Sequence, residues 1–219
     1  MCGRFAVYSS AEAIASYAKA LQKIQKWDPN FNISPGTMVP IIYNDASNRL
    51  LTTMRFGLIP FWAKDEKFAS KLINARSESI ADKPSFRYAF EKRRCLIVAN
   101  GYYEWEKSSK KPYYFYNPEQ EIIFFAGIWE SWKSPNGEII KTCSIITKPA
   151  AENINHIHHR MPVILNFPEA ENWLINPNKS ELINILYNFA DEKLVYHPVS
   201  IAVNSSRNNY PDLIQPIAI

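Results

Sequence analysis

No run in the sequence approaches the roughly 18 consecutive apolar residues of a membrane span, and the first 20 residues lack a basic region followed by an apolar stretch. Neither a membrane protein nor a secreted one with a leader is therefore expected, which leaves a soluble chain in the cytoplasm. Cysteine is scarce: Cys2, Cys95 and Cys143 are odd in number, far apart and without CxxC spacing. That pattern offers neither a disulfide framework nor a cysteine zinc site, and a reducing compartment suits it. Of only four histidines, three fall in the stretch HIHHRMPVIL. A His-x-His pair on a strand can bind metal, but no second cluster of Cys, His or paired carboxylates completes a tetrahedral site, so no metal or other cofactor is expected. Low-complexity blocks, internal repeats and domain linkers are missing too.

What is present describes a folded domain. The 219 residues, 47% hydrophobic and 14% aromatic, suit a single domain over 1–219 with one continuous core. Lys and Arg exceed Asp and Glu by 25 to 21, and the net charge of +4 is compatible with a polyanionic partner without identifying one. Residues 4–8 read as a strand, and Ser9-Ser10-Ala11-Glu12 as a capping box before a helix reaching about Ile24. A turn is predicted at 32–36, then paired strands at 38–43 and 50–56, a loop at 60–70 and short helices at 77–82 and 84–92. CLIVAN and YYEWEK read as strands around a turn at Gly101, followed by strands at 112–116, 121–127 and 139–146, with Ser134-Pro135-Asn136-Gly137 as a hairpin turn. Helices are predicted at 149–155, 167–175 and 178–189, and strands near 193–196 and 200–203. Without βαβ alternation, this order predicts an α+β fold on a curved, mostly antiparallel sheet with a barrel-like core and flanking helices.

Initiator methionine is usually clipped before a small side chain, so Cys2 is expected to become the first residue. Its α-amine would condense with an aldehyde, and the adjacent thiol would then close a five-membered thiazolidine. At neutral pH an α-amine is about 300-fold more deprotonated than a lysine. Taken alone, Cys2 also reads as a small apolar residue opening a strand. Asn74-Ala75-Arg76-Ser77-Glu78 offers an amide, a guanidinium and helix-terminal N–H groups to an anion, or simply a helix cap with Glu78 facing the dipole. In GYYEW, Glu104 sits among aromatics on a strand where alternation groups it with Tyr102 and Glu106. Burial there raises a carboxyl pKa toward the range useful for proton transfer, whereas a solvent-facing glutamate would keep its ordinary value. His156, His158 and His159 stand beside Arg160, either as a general acid/base with a phosphate-binding arginine or as a polar loop. Trp62 with Pro60 and Phe61, together with Ser34-Pro35, offers apolar surface for unpaired bases or for the core. Glu91-Lys92-Arg93-Arg94 reads as a solvated helix end, with DNA contact as the alternative.

MCGRF, N-x-SPG at 32–36, NARSES at 74–79, GYYEW at 101–105, HHRMPVIL at 158–165 and a late Val-Asn pair resemble, in this order, the SOS response-associated peptidase (SRAP) family. The resemblance implies a β-rich α+β domain with a positively charged cleft that senses abasic sites in single-stranded DNA and becomes covalently attached through its terminal cysteine. Cys2 matches the family's nucleophile, Asn74 its active-site amide, Glu104 its carboxylate and His158 its histidine. Arg4, Arg76 and Arg160 match backbone-phosphate contacts, and Pro35 and Trp62 the apolar surface beside the lesion. The segment from Trp62 to Leu72, with Lys64, Lys67 and Lys71, is long for the family. A monomer acting on single-stranded DNA without membrane contact is expected. Two other readings use the same residues: a thiol peptidase that removes its own leader, and a non-covalent reader of single-stranded or modified DNA.

Overall fold

A computed structural model describes residues 2–46, 48–187 and 193–217. In chain order its strands are β1 (Phe5–Val7), β2 (Leu21–Gln22), β3 (Asn30–Ile33), β4 (Met38–Asp45), β5 (Asn48–Phe56), β6 (Asn74–Arg76) and β7 (Arg94–Ala99). There follow β8 (Gly101–Trp105), β9 (Pro112–Tyr116), β10 (Ile123–Lys133), β11 (Ile139–Pro149), β12 (Arg160–Pro162), β13 (Ile164–Leu165) and β14 (Val195–Pro198). The helices are α1 (Ala11–Ala18), α2 (Arg87–Lys92), α3 (Phe167–Ile175) and α4 (Lys179–Tyr187). The architecture is the predicted α+β, and most strand pairs are antiparallel.

Five strands in the order β11-β10-β7-β4-β5 close into a barrel, because β5 returns to β11 in parallel with Arg55 opposite Thr142 and Phe56 opposite Cys143. Closure leaves no free edge among these five. A second sheet, ordered β14-β9-β8-β1-β3, lies over the barrel. Phe5 keys the two together by meeting Phe56 edge-on at 5.5 Å and Phe125 at 5.9 Å. On the other side of the second sheet, Ala6, Tyr103 and Tyr114 pack with Val199, Val203 and Leu213 from the C-terminal segment. Alternation along β8 therefore sends Tyr102 to the main core and Tyr103 to this smaller cluster, so both faces of the strand are covered.

The chain passes from barrel to second sheet at Asn100, not in a turn at Gly101 as the sequence predicts. Asn100 accepts from the backbone N–H of Tyr8 (2.7 Å) and donates to Ser9 Oγ (2.6 Å) and the Glu121 carbonyl (2.8 Å), fixing the corner. Gly101 is already in β8, opposite Ala6, and a Cβ there would lie 2.4 Å from the Tyr114 ring and 2.5 Å from the Phe115 carbonyl. Backbone cannot move aside as a flexible side chain can, so Gly101→Ala is expected to cost about 3 kcal/mol. A urea midpoint equal to that of the wild type would refute that contact.

Several predicted elements change under tertiary pairing. Helix α1 stops at Ala18 because Lys19 turns left-handed (φ 51°), and Leu21–Gln22 then pair with β5 in place of two more helical turns. Its cap is Ser10, which accepts from Ala13, since Ser9 is drawn inward to Glu121; the predicted capping box does not form. Asn30–Ile33 is strand, and the predicted turn shrinks to the residues around Gly36 (φ 92°). The predicted helix at 149–155 is absent, because β11 runs on to Pro149 and a looped segment closed by Ala150 N–H to the His159 carbonyl (3.0 Å) leads into β12. Around 77–82 there is one 3-10 turn, Ser77–Ser79, and Ile201–Asn204 is a 3-10 turn capped by Ser200 instead of a strand. The hairpin turn at 134–137 and the helix at 167–175 form as the sequence predicts; α3 opens with a capping box from Asn166 and Glu169 that the sequence reading did not name. The end of the predicted helix 178–189 lies outside the described residues. No helix among the described residues is long and apolar enough to cross a membrane.

Candidate active site

The start of β1 lies between β8 and β3, with Phe5 opposite Tyr102 on one side and Ile33 on the other. Tyr103 N–H donates to the Arg4 carbonyl at 2.9 Å, so the register carries Glu104 to the flank of the chain's first residues. Cys2 is fully buried there. Burial pushes its thiol pKa well up, and the neighbouring Glu104 charge pushes the same way. The thiol is therefore held as S–H.

Asn74 reaches this point from β6, which lies parallel to β11 with Asn74 opposite Ile145. The sequence offers this segment either to an anion or as a helix cap; pairing with β11 makes it a strand. Its Nδ2 donates to the Cys2 carbonyl at 3.0 Å and to the Ile73 carbonyl at 3.0 Å. Its Oδ1 is buried and has no hydrogen-bond partner among the described residues. A buried acceptor left unmatched is costly, which makes this oxygen a ready partner for an N–H brought to Cys2.

Glu104 is 3% exposed, and burial raises its carboxyl pKa from 4.5 to about 7, as expected of a carboxylate among aromatics. His158 Nδ1 stands 3.7 Å from Glu104 Oε1. The same nitrogen receives the Arg160 backbone N–H at 3.1 Å and lies 3.0 Å from the Arg160 carbonyl, so the backbone can serve it as acceptor or as donor without a change of ring position. Burial lowers the His158 pKa below its ordinary 6.5. At neutral pH the site thus couples a neutral imidazole to a carboxyl near its midpoint, an arrangement suited to moving protons either way.

The arginines divide. Arg160 is 9% exposed; its guanidinium holds both Glu78 oxygens and donates to the Thr147 carbonyl at 2.6 Å. Those hydrogen bonds hold the Glu78 carboxyl down at about 2. Any phosphate would share Arg160 with Glu78, and the pair secures the turn that presents His158. Glu78 thus serves Arg160 and not a helix dipole, a partnership across 82 residues with no local signal. Arg4, half-buried, donates to Asn32 Oδ1 (2.7 Å) and the Val203 carbonyl (2.6 Å). Arg76 is exposed two residues from Asn74. Pro35 is exposed just beyond β3, while Trp62, 46% exposed, is braced edge-on against Phe68 and lies in a segment pinned by Trp132 Nε1 to the Ala63 carbonyl (2.7 Å).

Glu104 and His158 form one wall of a cleft of about 540 Å³ that continues along Trp105, Lys107, Lys110, His156 and His159. Neither lysine was singled out by the sequence, although the charged turn EKSSKK between two strands was visible. Among the described residues no group of three or more His, Cys, Asp or Glu side chains is placed to hold a metal ion.

Over residues 1–206 the chain matches the family described as SOS response associated peptidase (SRAP). It is 38% identical over 223 residues to the abasic site processing protein YoqW of Bacillus subtilis (strain 168), an alignment covering 98% of this chain and 99% of that one. To the abasic site processing protein HMCES of Xenopus tropicalis it is 34% identical over 230 residues, covering 89% of this chain and 68% of that one. A solved protein from Bacteroides thetaiotaomicron superposes with a TM-score of 0.88 at 30% identity, over 99% of this chain and 100% of the other.

Proposed function

Because the chain belongs to the SOS response associated peptidase family, we propose that it captures abasic sites in single-stranded DNA as a covalent adduct through the amine and thiol of Cys2, once Met1 is removed. The observation that carries this reading is the meeting at a buried Cys2 of a carboxyl with pKa about 7 and an amide whose oxygen awaits a donor.

An abasic deoxyribose is in equilibrium with its open-chain aldehyde. The Cys2 amine adds to that carbonyl carbon, a proton passes to the oxygen, and water leaves to give an imine. The thiol then adds across the C=N bond: sulfur bonds to the former aldehyde carbon and the thiol proton ends on nitrogen, so the whole process releases one water and needs no oxidant. Neutral Glu104 protonates the departing oxygen, and as carboxylate it takes the thiol proton, with His158 relaying between the two states. Asn74 holds the Cys2 carbonyl and accepts from the attacking amine, fixing the angle of approach. Arg76 contacts a backbone phosphate, Arg4 adds the N–H groups not committed to Asn32 and Val203, and Pro35 and Trp62 lie against flanking bases.

The peptidase reading fits less well. A cysteine peptidase needs a thiolate, and a thiol whose pKa is raised by burial and by a neighbouring carboxylate is a poor one at neutral pH. As a second nucleophile closing on an already formed imine, a protonated thiol is adequate.

The test is the intact mass and denaturing-gel mobility of the protein mixed with single-stranded DNA bearing one abasic site. A species equal to Met1-free protein plus DNA less one water is expected. Binding seen only under native conditions would overturn the covalent reading in favour of a non-covalent reader.

A further inference from the structure

We propose that Glu78 is a positioning residue for His158, acting through Arg160. This deepens the reading above, in which His158 relays protons beside Glu104, and it rests on that reading.

His158 needs such help because it lies in no helix or strand. Its ring is fixed at Nδ1 by the backbone of Arg160, whose N–H and carbonyl oxygen are 3.1 and 3.0 Å away. Both groups are available because of the ladder between β11 and β12. Ladder bonds fall where Ala150 donates to the His159 carbonyl (3.0 Å) and Val163 to the Ile146 carbonyl (2.9 Å). Bonded and unbonded pairs alternate in an antiparallel ladder, so the pair of Pro149 with Arg160 is an unbonded one. The Arg160 N–H and carbonyl therefore point away from β11, and the side chain of Arg160 must supply the anchorage that the ladder does not.

That side chain is clasped across β11. Thr147 stands opposite Pro162 of β12 and also opposite Arg76 of β6, so these two strands flank β11 at this point. From the β12 side the Arg160 guanidinium, largely buried, donates to the Thr147 carbonyl at 2.6 Å and to Thr147 Oγ1 at 3.3 Å. From the β6 side the turn Ser77–Ser79 brings Glu78 to the same guanidinium, and both carboxylate oxygens accept from it. A two-pronged contact of this kind fixes direction as well as distance. Its charge is constant near neutrality, since the hydrogen bonds from Arg160 hold the Glu78 carboxyl at about 2. Glu78 thus sets where Arg160 sits and Arg160 sets where the imidazole sits, which keeps His158 Nδ1 3.7 Å from Glu104 Oε1.

The experiment compares wild type with Glu78→Gln, which keeps the length and loses the charge, and Glu78→Asp, which keeps the charge. Glu78 is exposed, and both variants are expected to fold as wild type. Long-range proton–nitrogen NMR of the free proteins at neutral pH reads the His158 ring nitrogens. Single-turnover crosslinking to abasic single strands reads the maximal rate and the half-saturating DNA concentration separately. In Glu78→Gln the His158 nitrogen shifts are expected to move toward those of free imidazole. Its maximal rate should fall about tenfold with no rise in the half-saturating concentration, and Glu78→Asp should lose no more than about threefold. Loss of affinity in step with rate would mark a general structural role and overturn the proposal, as would a wild-type rate in Glu78→Gln. Unmoved His158 shifts refute it whether or not any adduct forms. If wild type itself forms no adduct, the covalent reading falls, and the shifts alone decide whether Glu78 positions His158.

Discussion

Cys2→Ala protein is expected to give no heat-stable adduct with abasic single-stranded DNA, yet to yield a band when borohydride is present. Alanine is as readily exposed by methionine removal as cysteine, so the α-amine remains and an imine still forms. Without sulfur the imine cannot close to a thiazolidine, and it hydrolyses on denaturation unless reduced. Acetylating the α-amine of the wild type removes both outcomes. Any residual imine must then come from a lysine, which offers about 300-fold less free amine at neutral pH. The three proteins therefore separate amine from thiol. Loss of one buried sulfur costs on the order of 1 kcal/mol, small enough that the variant keeps its fold, which its thermal melt will check. A wild-type, reductant-independent band from Cys2→Ala would remove the thiol from the mechanism.

Much of the fold was legible wherever local pattern and final pairing agree. The strands of GYYEW, CLIVAN and the run after Ser134 alternate or stay apolar as buried strands do, and the helix predicted at 167–175 forms at those bounds. The failures share a cause. Residues 19–24 continue an amphipathic pattern, but β5 offers Leu21 and Gln22 backbone partners that a helix would forgo. Asn74–Arg76 resembles a cap and becomes a strand because β11, some 70 residues later, supplies the ladder. Barrel closure itself depends on the parallel contact of β5 with β11, a non-local register that no window of sequence contains.

The site was legible in a different way. Individually, Cys2, Asn74 and His158 each had an ordinary structural explanation, and their order along the chain pointed to the family. Glu104 carried a physical signal in its aromatic neighbours, but a solvent-facing strand position was an equal alternative, and its burial decides between them. Arg160 shows the limit: a basic residue beside histidines reads as a phosphate contact, but its occupancy by Glu78 and Thr147 is visible only when three separate segments are brought together. Lys107 and Lys110 were passed over for the converse reason, because a charged turn is usually just solvated and becomes informative only when Cys2 and Glu104 are seen at the same end of the sheet.

Glu104→Gln is expected to slow adduct formation about 100-fold or more while making the protein more stable above neutral pH. Glutamine keeps the shape and one hydrogen-bonding oxygen but can neither release nor take up a proton, and the loss of a positioned acid/base typically costs 10²–10⁴-fold, roughly. The pH–rate profile should lose the limb centred near the Glu104 pKa of about 7. The stability effect has the opposite sign for a definite reason. With a folded-state pKa raised from 4.5 to about 7, the folded protein binds the extra proton in that interval. The favourable contribution of neutral Glu104 is full below about pH 4.5 and is lost as pH rises through about 7, leaving wild type about 3 kcal/mol worse off at pH 8 than a neutral side chain would be. Single-turnover adduct formation and urea midpoints, both at about pH 5 and pH 8, test the two halves separately. An adduct rate equal to wild type would take Glu104 out of the chemistry. Equal pH dependence of stability in both proteins would mean that the carboxyl is not held near neutrality, and the shuttle with His158 would lose its basis. If both expectations hold, Glu104 is a residue that destabilises the fold at working pH and is retained for what it does beside Cys2.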